Sequence, residues 1–316
     1  MNRLMERSEE VRFSAGSIGL AGTLTLPAES ELSPRPAAVL LLPSFLPRDR
    51  HGRLDASGHP DWFDQPTGPG LLARLAGALA AQGVATLRYD KRGCGESDGS
   101  WTDADLFTLI DDARDAIAFL RSRSDLDPTR IGLLGHGEGG LLAMSVAAAD
   151  PALSGLTLVG VPARSWRDSL RWGIARRHGS GPPFVRALDR GAEELIERAA
   201  RGEPAMRLPV GLDGVTLGLA AWQQAFGTPG MALASLQDRT ASVWHGQADV
   251  WVNPDEASLL SAALPMGASA GPTIIAGAGH GLEETDDPTI GAIAADLAAR
   301  LEARALPTYL LSIDGL

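Results

Sequence analysis

The segment with the most chemical character is residues 131–140, IGLLGHGEGG. An apolar run enters it, glycines flank its centre, and a helix-forming sequence leaves it. Gly135 and Gly139 suit a sharp turn in which strand and helix backbones approach closely. A strand-to-helix turn of this kind holds its central residue in a strained conformation at the C-terminal edge of a sheet, where open α/β sheets bind ligands. Its usual chemistry is nucleophilic. A side chain held out at the bend attacks a carbonyl, and the next amide, at a helix N-terminus, stabilises the oxyanion. Here the central residue is Gly137, which has no side chain to attack with. The turn also lacks the Lys-Ser/Thr pair of a phosphate-binding loop, and no His, Cys, Asp or Glu spacing matches a metal site. No metal or organic cofactor is implied.

Such a turn needs a parallel sheet to stand on. Continuous apolar runs at 37–42, 84–89, 131–134, 156–161, 242–245 and 273–276 suit strands buried on both faces. Helix-like stretches at 70–82, 105–121, 138–149, 255–264 and 290–303 separate most of them. In 105–121, Leu106, Leu109, Ile110, Ala113, Ile117 and Leu120 fall at helical spacing. Two β-like segments, 11–14 and 18–26, open the chain. This alternation predicts right-handed βαβ units and a mainly parallel sheet. Residues 163–240 break the rhythm. They carry helical patterns, Trp166, Trp172, Trp222 and Phe226, but no convincing buried strand. They are predicted to form a helical cap inserted between core strands, leaving 1–162 and 241–316 as the core. Residues 48–70, rich in Pro, Gly and Asp, read as a long loop of the kind that is usually functional. The tail after Ala305 is expected to be ordered only by docking.

Composition narrows the function classes. The chain has 316 residues, 44 % hydrophobic and 21 % charged, the balance of a globular protein large enough for one sizeable core. A formal charge of −11 disfavours nucleic acid and anionic membranes as partners. Cys94 is the only cysteine, so no intrachain disulfide is available. The opening MNRLMERSEEVRF has no apolar signal core, and no stretch approaches the roughly 20 apolar residues of a membrane span. The expectation is a cytoplasmic protein acting on a small molecule. Oligomeric state is not legible. Lys91 is the only lysine.

Five motifs, in chain order, resemble the α/β-hydrolase superfamily, in particular its bacterial esterase-like and dienelactone-hydrolase-like members. The turn reads GHGEG at 135–139, four of five positions agreeing with members that read GHSEG. LPSFLPRDRHG at 42–52 looks like the loop after the family's third strand, often P-G-S-G-P-x-D-R-D-G. LRYDKRGCGES at 87–97 looks like its fourth-strand turn, R-Y-D-x-R-G-x-G-x-S. HGQAD at 245–249 looks like the turn that delivers the catalytic acid, and GAGHG at 277–281 like the loop that delivers the histidine.

The resemblance implies an α/β-hydrolase fold, a mostly parallel eight-stranded sheet with helices on both faces and an inserted helical cap. It also implies His280 as general base and Asp249 as the carboxylate that holds its tautomer. The backbone amide of Glu138 would be one oxyanion donor. A second would come from the loop after the third strand, Phe45 first and Ser44 next to it. Plainer roles stand beside these. Asp249 could cap the helix beginning near Asn253 and Pro254, and His280 could be a turn residue. His136 fits a structural role better than a catalytic one. His51 and His59 could line the pocket. Cys94 fits a packed small residue, and the tryptophans fit core or pocket wall.

With Gly137 at the nucleophile position, His280 is expected to face an empty notch. Three readings stay open. The chain is an inactivated serine esterase, thioesterase or acyltransferase. Or it is an enzyme in which the Asp249–His280 pair works without a covalent step, activating water or driving elimination or cyclisation. Or it is an inactive ligand-binding pseudoenzyme. In each, the ligand is a small acyl or carbonyl compound.

Overall fold

The computed structural model describes residues 6–28, 35–55, 69–180, 183–207, 216–219, 222–223, 226–227, 229–265, 271–283 and 285–305. His59 and the tail after Ala305 lie outside them. The apolar runs become strands: β1 (Arg7–Ala15), β2 (Ile18–Leu26), β3 (Ala38–Leu42), β4 (Ala85–Tyr89), β5 (Ile131–His136), β6 (Leu156–Val159), β9 (Ala241–Gly246) and β10 (Thr273–Ile275). β7 (Ala205–Arg207) and β8 (Thr216–Gly218) pair separately. The main sheet has eight strands in the order β1-β2-β4-β3-β5-β6-β9-β10. β2 is antiparallel to both β1 and β4, and every later pairing is parallel.

β3 shows why the central strands read as unbroken apolar runs. All five residues are buried, Ala38, Leu40 and Leu42 in one core and Val39 and Leu41 in the other. Successive side chains of a strand point to opposite faces, and both faces here are covered. The helices α1 (Leu71–Ala81) and α8 (Asp287–Ala305) supply one face. The other is supplied by α2 (Leu106–Ser122), α3 (Glu138–Ala149) and α7 (Glu256–Ala263). The Asp105 carboxylate starts α2 by accepting the Thr108 backbone N–H at 2.6 Å.

The sheet order turns at β3. The chain steps outward from β3 to β4 and then returns to the other side of β3 as β5. At such a switch point the loops leaving neighbouring parallel strands diverge and open a crevice. Leu42 of β3 pairs with Gly135 of β5. Two residues past each lie Ser44 and Gly137.

The stretch 163–240 contains α4 (Trp166–Arg177), α5 (Pro183–Ala200), the β7–β8 hairpin and α6 (Gly230–Ser235). It therefore differs from a purely helical insertion. Strands of three residues are too short to print a period on the sequence. α6 also departs from expectation, because Ala234 joins the same core as α3. The remaining helices and hairpin bury their own cluster, including Trp166, Leu170, Ile196, Met206, Leu217 and Phe226, with Phe45 and Trp222 packed against it. Among the described residues, no helix is long and apolar enough to cross a membrane.

The loop after β3 is anchored from below by a buried ion pair. Arg50 donates to Asp90, at the end of β4, through Nε at 3.1 Å and Nη2 at 2.6 Å, and its backbone N–H donates to the same carboxylate at 2.6 Å. Arg50 also pairs with Glu10 and Glu96. Burial alone would raise the Asp90 pKa. The Arg50 hydrogen bonds, with the Glu96 amide, hold it below its ordinary value. Because the folded pKa is the lower one, the stabilisation is present above the unfolded carboxyl's value of about 3.9 and is lost as pH falls through the folded value. Asp90→Asn leaves a buried guanidinium short of a partner, an imbalance that costs about 3 kcal/mol. Urea unfolding should show a lowered midpoint with an unchanged slope near neutral pH. The gap from the parent should shrink at strongly acidic pH.

Candidate active site

Parallel pairing of β9 with β10, Trp244 opposite Thr273 and Gly246 opposite Ile275, brings the loops after both strands to one edge of the sheet. Asp249 follows β9 and His280 follows β10, and they meet there. His280 Nδ1 lies 2.7 Å from Asp249 Oδ2. A carboxylate can only accept, so Nδ1 carries a proton, and in the neutral ring Nε2 presents its lone pair.

Asp249 is fully committed. Its Oδ1 accepts the backbone N–H groups of Trp251 at 2.7 Å and Val252 at 3.0 Å. Its Oδ2 also lies 3.1 Å from His245 Nε2. Burial acts to raise its pKa. The charge interaction with His280 and the hydrogen bonds from His245 and His280 outweigh that, holding the carboxyl well below the usual range. The helix-capping role does not apply, since α7 is capped at Asp255. Asp249 instead pins its own turn.

His136, at the end of β5, donates from Nε2 to the His280 backbone carbonyl at 2.8 Å, and the two rings lie 4.6 Å apart. Burial first, then the nearby His280, lowers its pKa well below the ordinary histidine value. It is therefore a neutral ring that positions the His280 loop. His51 is engaged elsewhere, accepting from Arg88 Nη1 at 2.9 Å.

Gly137 has φ +53° and ψ −118° and stands immediately before α3. Glycine adopts this left-handed conformation without the Cβ penalty. Behind it, Gly139 has no room for a Cβ against the Leu42 and Pro43 carbonyls, so α3 starts directly over the β3 loop. Glu138 opens α3, and the first amides of a helix have no intrahelical acceptor.

The expected empty notch is instead filled. Ser44 Oγ lies 3.1 Å from His280 Nε2. A Cβ built on Gly137 would overlap Ser44 Oγ and stand 3.1 Å from His280 Nε2. The Ser44 hydroxyl thus occupies the room that a side chain at 137 would need. With Nδ1 protonated, the hydroxyl is the donor and Nε2 the acceptor.

Lys91 and the Phe45 ring fix the Ser44 loop. Lys91 Nζ donates to the carbonyls of Ser44 at 2.8 Å and Leu46 at 3.2 Å and pairs with Glu138 at 2.7 Å, tying the loop to the start of α3. Leu46 is held at φ +72°, a conformation that is strained for a side-chain-bearing residue. Above, the Phe45 ring makes edge contacts with Trp166 and Trp222, centroids 5.0 and 5.2 Å away. The sequence reading missed Lys91, although its being the chain's single lysine was a signal. It also treated Ser44 only through its backbone. The insertion reaches the Asp249 turn as well. Arg177 donates to the Val250 carbonyl at 2.5 Å and lies 3.7 Å over the Trp251 ring.

Residues 69–200 match the family model described as serine aminopeptidase, S33. Esterase EstD of Thermotoga maritima is 33 % identical over 147 residues, 46 % of this chain and 31 % of that protein. Polyketide transferase claH of Penicillium crustosum is 37 % identical over 81 residues, 25 % of this chain and 26 % of that protein. The chain thus spans under a third of the length of these curated relatives. The structure of Est1E from Butyrivibrio proteoclasticus with bound ferulic acid superimposes with a TM-score of 0.65 at 16 % identity, covering 92 % of this chain and 99 % of that one. The chain has the α/β-hydrolase fold.

Two outcomes follow from this geometry. Gly137→Ala places a Cβ at positive φ and against Ser44 Oγ; strain of this kind costs about 1–3 kcal/mol, readable as a lowered urea midpoint. Cys94 is buried, and burial pushes its thiol up to about 12. It should resist a disulfide exchange reagent at mildly alkaline pH in the native protein and react fully in denaturant.

Proposed function

We propose that the chain is an acyl hydrolase or acyltransferase acting on a small ester, thioester or lactone carbonyl. His280 is the general base, and Asp249 holds its tautomer and stabilises the imidazolium. The amides of Glu138 and Phe45, with Ser44 as the neighbouring choice for the second, are the oxyanion donors. The observation that carries this reading is the 2.7 Å contact between a buried, ionised Asp249 and His280 Nδ1, beside the positive-φ turn at Gly137. A carboxylate already charged before the reaction needs no reorganisation when the imidazole takes a proton.

Residues 163–240 act as a cap over the site, and the Phe45, Trp166 and Trp222 rings supply an apolar wall for the acyl group. The names of the relatives, an esterase and a polyketide transferase, support a reading in which hydrolysis and acyl transfer are two outcomes of one acyl chemistry. The acceptor, water or a second substrate hydroxyl or thiol, decides between them.

His280→Ala and Asp249→Asn are the direct tests. General-base catalysis is worth about 10²–10⁴-fold in rate, so each variant should lose turnover of p-nitrophenyl acetate by that order, His280→Ala while keeping the parent's unfolding midpoint within a small margin. Turnover unchanged in His280→Ala would contradict the reading.

A further inference from the structure

We propose that Ser44 is the nucleophile of this site, moved from the turn after β5 to the loop after β3. The inference rests on the functional reading above and names the group that reading leaves open.

Four observations carry it. Ser44 Oγ is 3.1 Å from His280 Nε2, within the reach expected of a nucleophile and its base. That imidazole is oriented through Nδ1 by Asp249 at 2.7 Å, so the hydroxyl, the ring and the carboxylate form one relay. The hydroxyl lies where a side chain at residue 137 would have to be, and residue 137 is the one residue type that leaves this space open. The loop carrying Ser44 is clamped by Lys91 and by the Phe45 ring, which fixes the attacking atom rather than leaving it on a loose loop. The pattern that residues 42–52 resemble has glycine where Ser44 stands, and the turn pattern has serine where Gly137 stands. The chain has both exchanges at once, and the first offsets the second.

Backbone geometry explains why the transfer works. Leu42 and Gly135 are paired neighbours on parallel strands, and Ser44 and Gly137 each follow two residues later. Two loops leaving the same crevice in register can deliver a hydroxyl to one point from either side. Ser44 is buried, and the His280 side chain keeps 11 % of its exposure.

The reaction balances without any further reactant. Ser44 Oγ bonds to the acyl carbon as its proton passes to His280 Nε2, and the carbonyl π pair moves onto oxygen. The tetrahedral adduct collapses, the bond from the acyl carbon to the leaving oxygen or sulfur breaks, and the leaving group takes the proton from Nε2. Water, or an acceptor hydroxyl or thiol, then gives a proton to Nε2 and attacks the acyl carbon. The bond to Oγ breaks, and Oγ recovers its proton from Nε2. The net reaction is acyl transfer to the acceptor, with Ser44 unchanged.

The test treats the full chain with diethyl p-nitrophenyl phosphate, maps the adduct by peptide mass spectrometry, and measures p-nitrophenyl acetate turnover in the parent, Ser44→Ala and His280→Ala. The expected result is a single diethylphosphoryl adduct on Ser44, absent in His280→Ala, and a loss of turnover of at least about 10³-fold in Ser44→Ala. If Ser44→Ala fails to fold, adduct mapping on the parent decides alone. Turnover that needs His280 but survives Ser44→Ala, or turnover with no adduct on Ser44, overturns the proposal and leaves the functional reading standing with water as the attacking group. No turnover and no adduct in the parent overturns both.

Discussion

A buried carboxylate that keeps its charge organises this end of the molecule. Asp249 accepts from two backbone amides, from His245 and from His280. Burying an ion is costly unless its hydrogen bonds are satisfied, and here each oxygen is. The consequence reaches one bond further. Because Asp249 can only accept, it fixes the proton of His280 on Nδ1, and the free lone pair of Nε2 is turned toward Ser44. The direction of every hydrogen bond in the line is set by the one group that has no proton to give.

The sheet then sets where that line ends. β3 and β5 are adjacent, parallel and in register, and the strand order reverses between them. Their following loops must part, and the space between them is where His280 points. The β3 loop is held in this position from three sides. The Arg50–Asp90 pair anchors its far end, Lys91 ties its carbonyls to Glu138, and the Phe45 ring is packed against Trp166 and Trp222. These contacts hold Leu46 at a positive φ that an unconstrained leucine would leave.

The scaffold was legible in the sequence because it is written in runs and periods. The strands buried on both faces appear as apolar stretches such as 37–42, and α2 prints its stripe of Leu109, Ile110, Ala113, Ile117 and Leu120. The turns that carry Asp249, His280 and Gly137 were legible because short turns with fixed glycine positions carry local signatures. The β7–β8 hairpin was not, since three residues per strand leave no alternation to read. Nor was the fold-back of α6 onto α3, which depends on a long-range contact through Ala234. The contact between the Ser44 hydroxyl and His280 was not legible for the same reason. Serine in a loop is common, and its meaning comes from a partner 236 positions away in the chain. Lys91 was noticed as a compositional oddity, but its three acceptors come from segments that only the fold assembles.

The central claim is a proton arrangement, Nδ1–H toward Asp249 and a bare Nε2 accepting from Ser44. A two-bond proton–nitrogen correlation spectrum of the protein labelled with ring-¹⁵N histidine, recorded at mildly alkaline pH, reads it directly. The account predicts that His280 shows a protonated Nδ1 and an unprotonated Nε2 whose nitrogen shift moves when Ser44 is replaced by alanine. A protonated Nε2, or a His280 spectrum indifferent to the loss of the Ser44 hydroxyl, would contradict it.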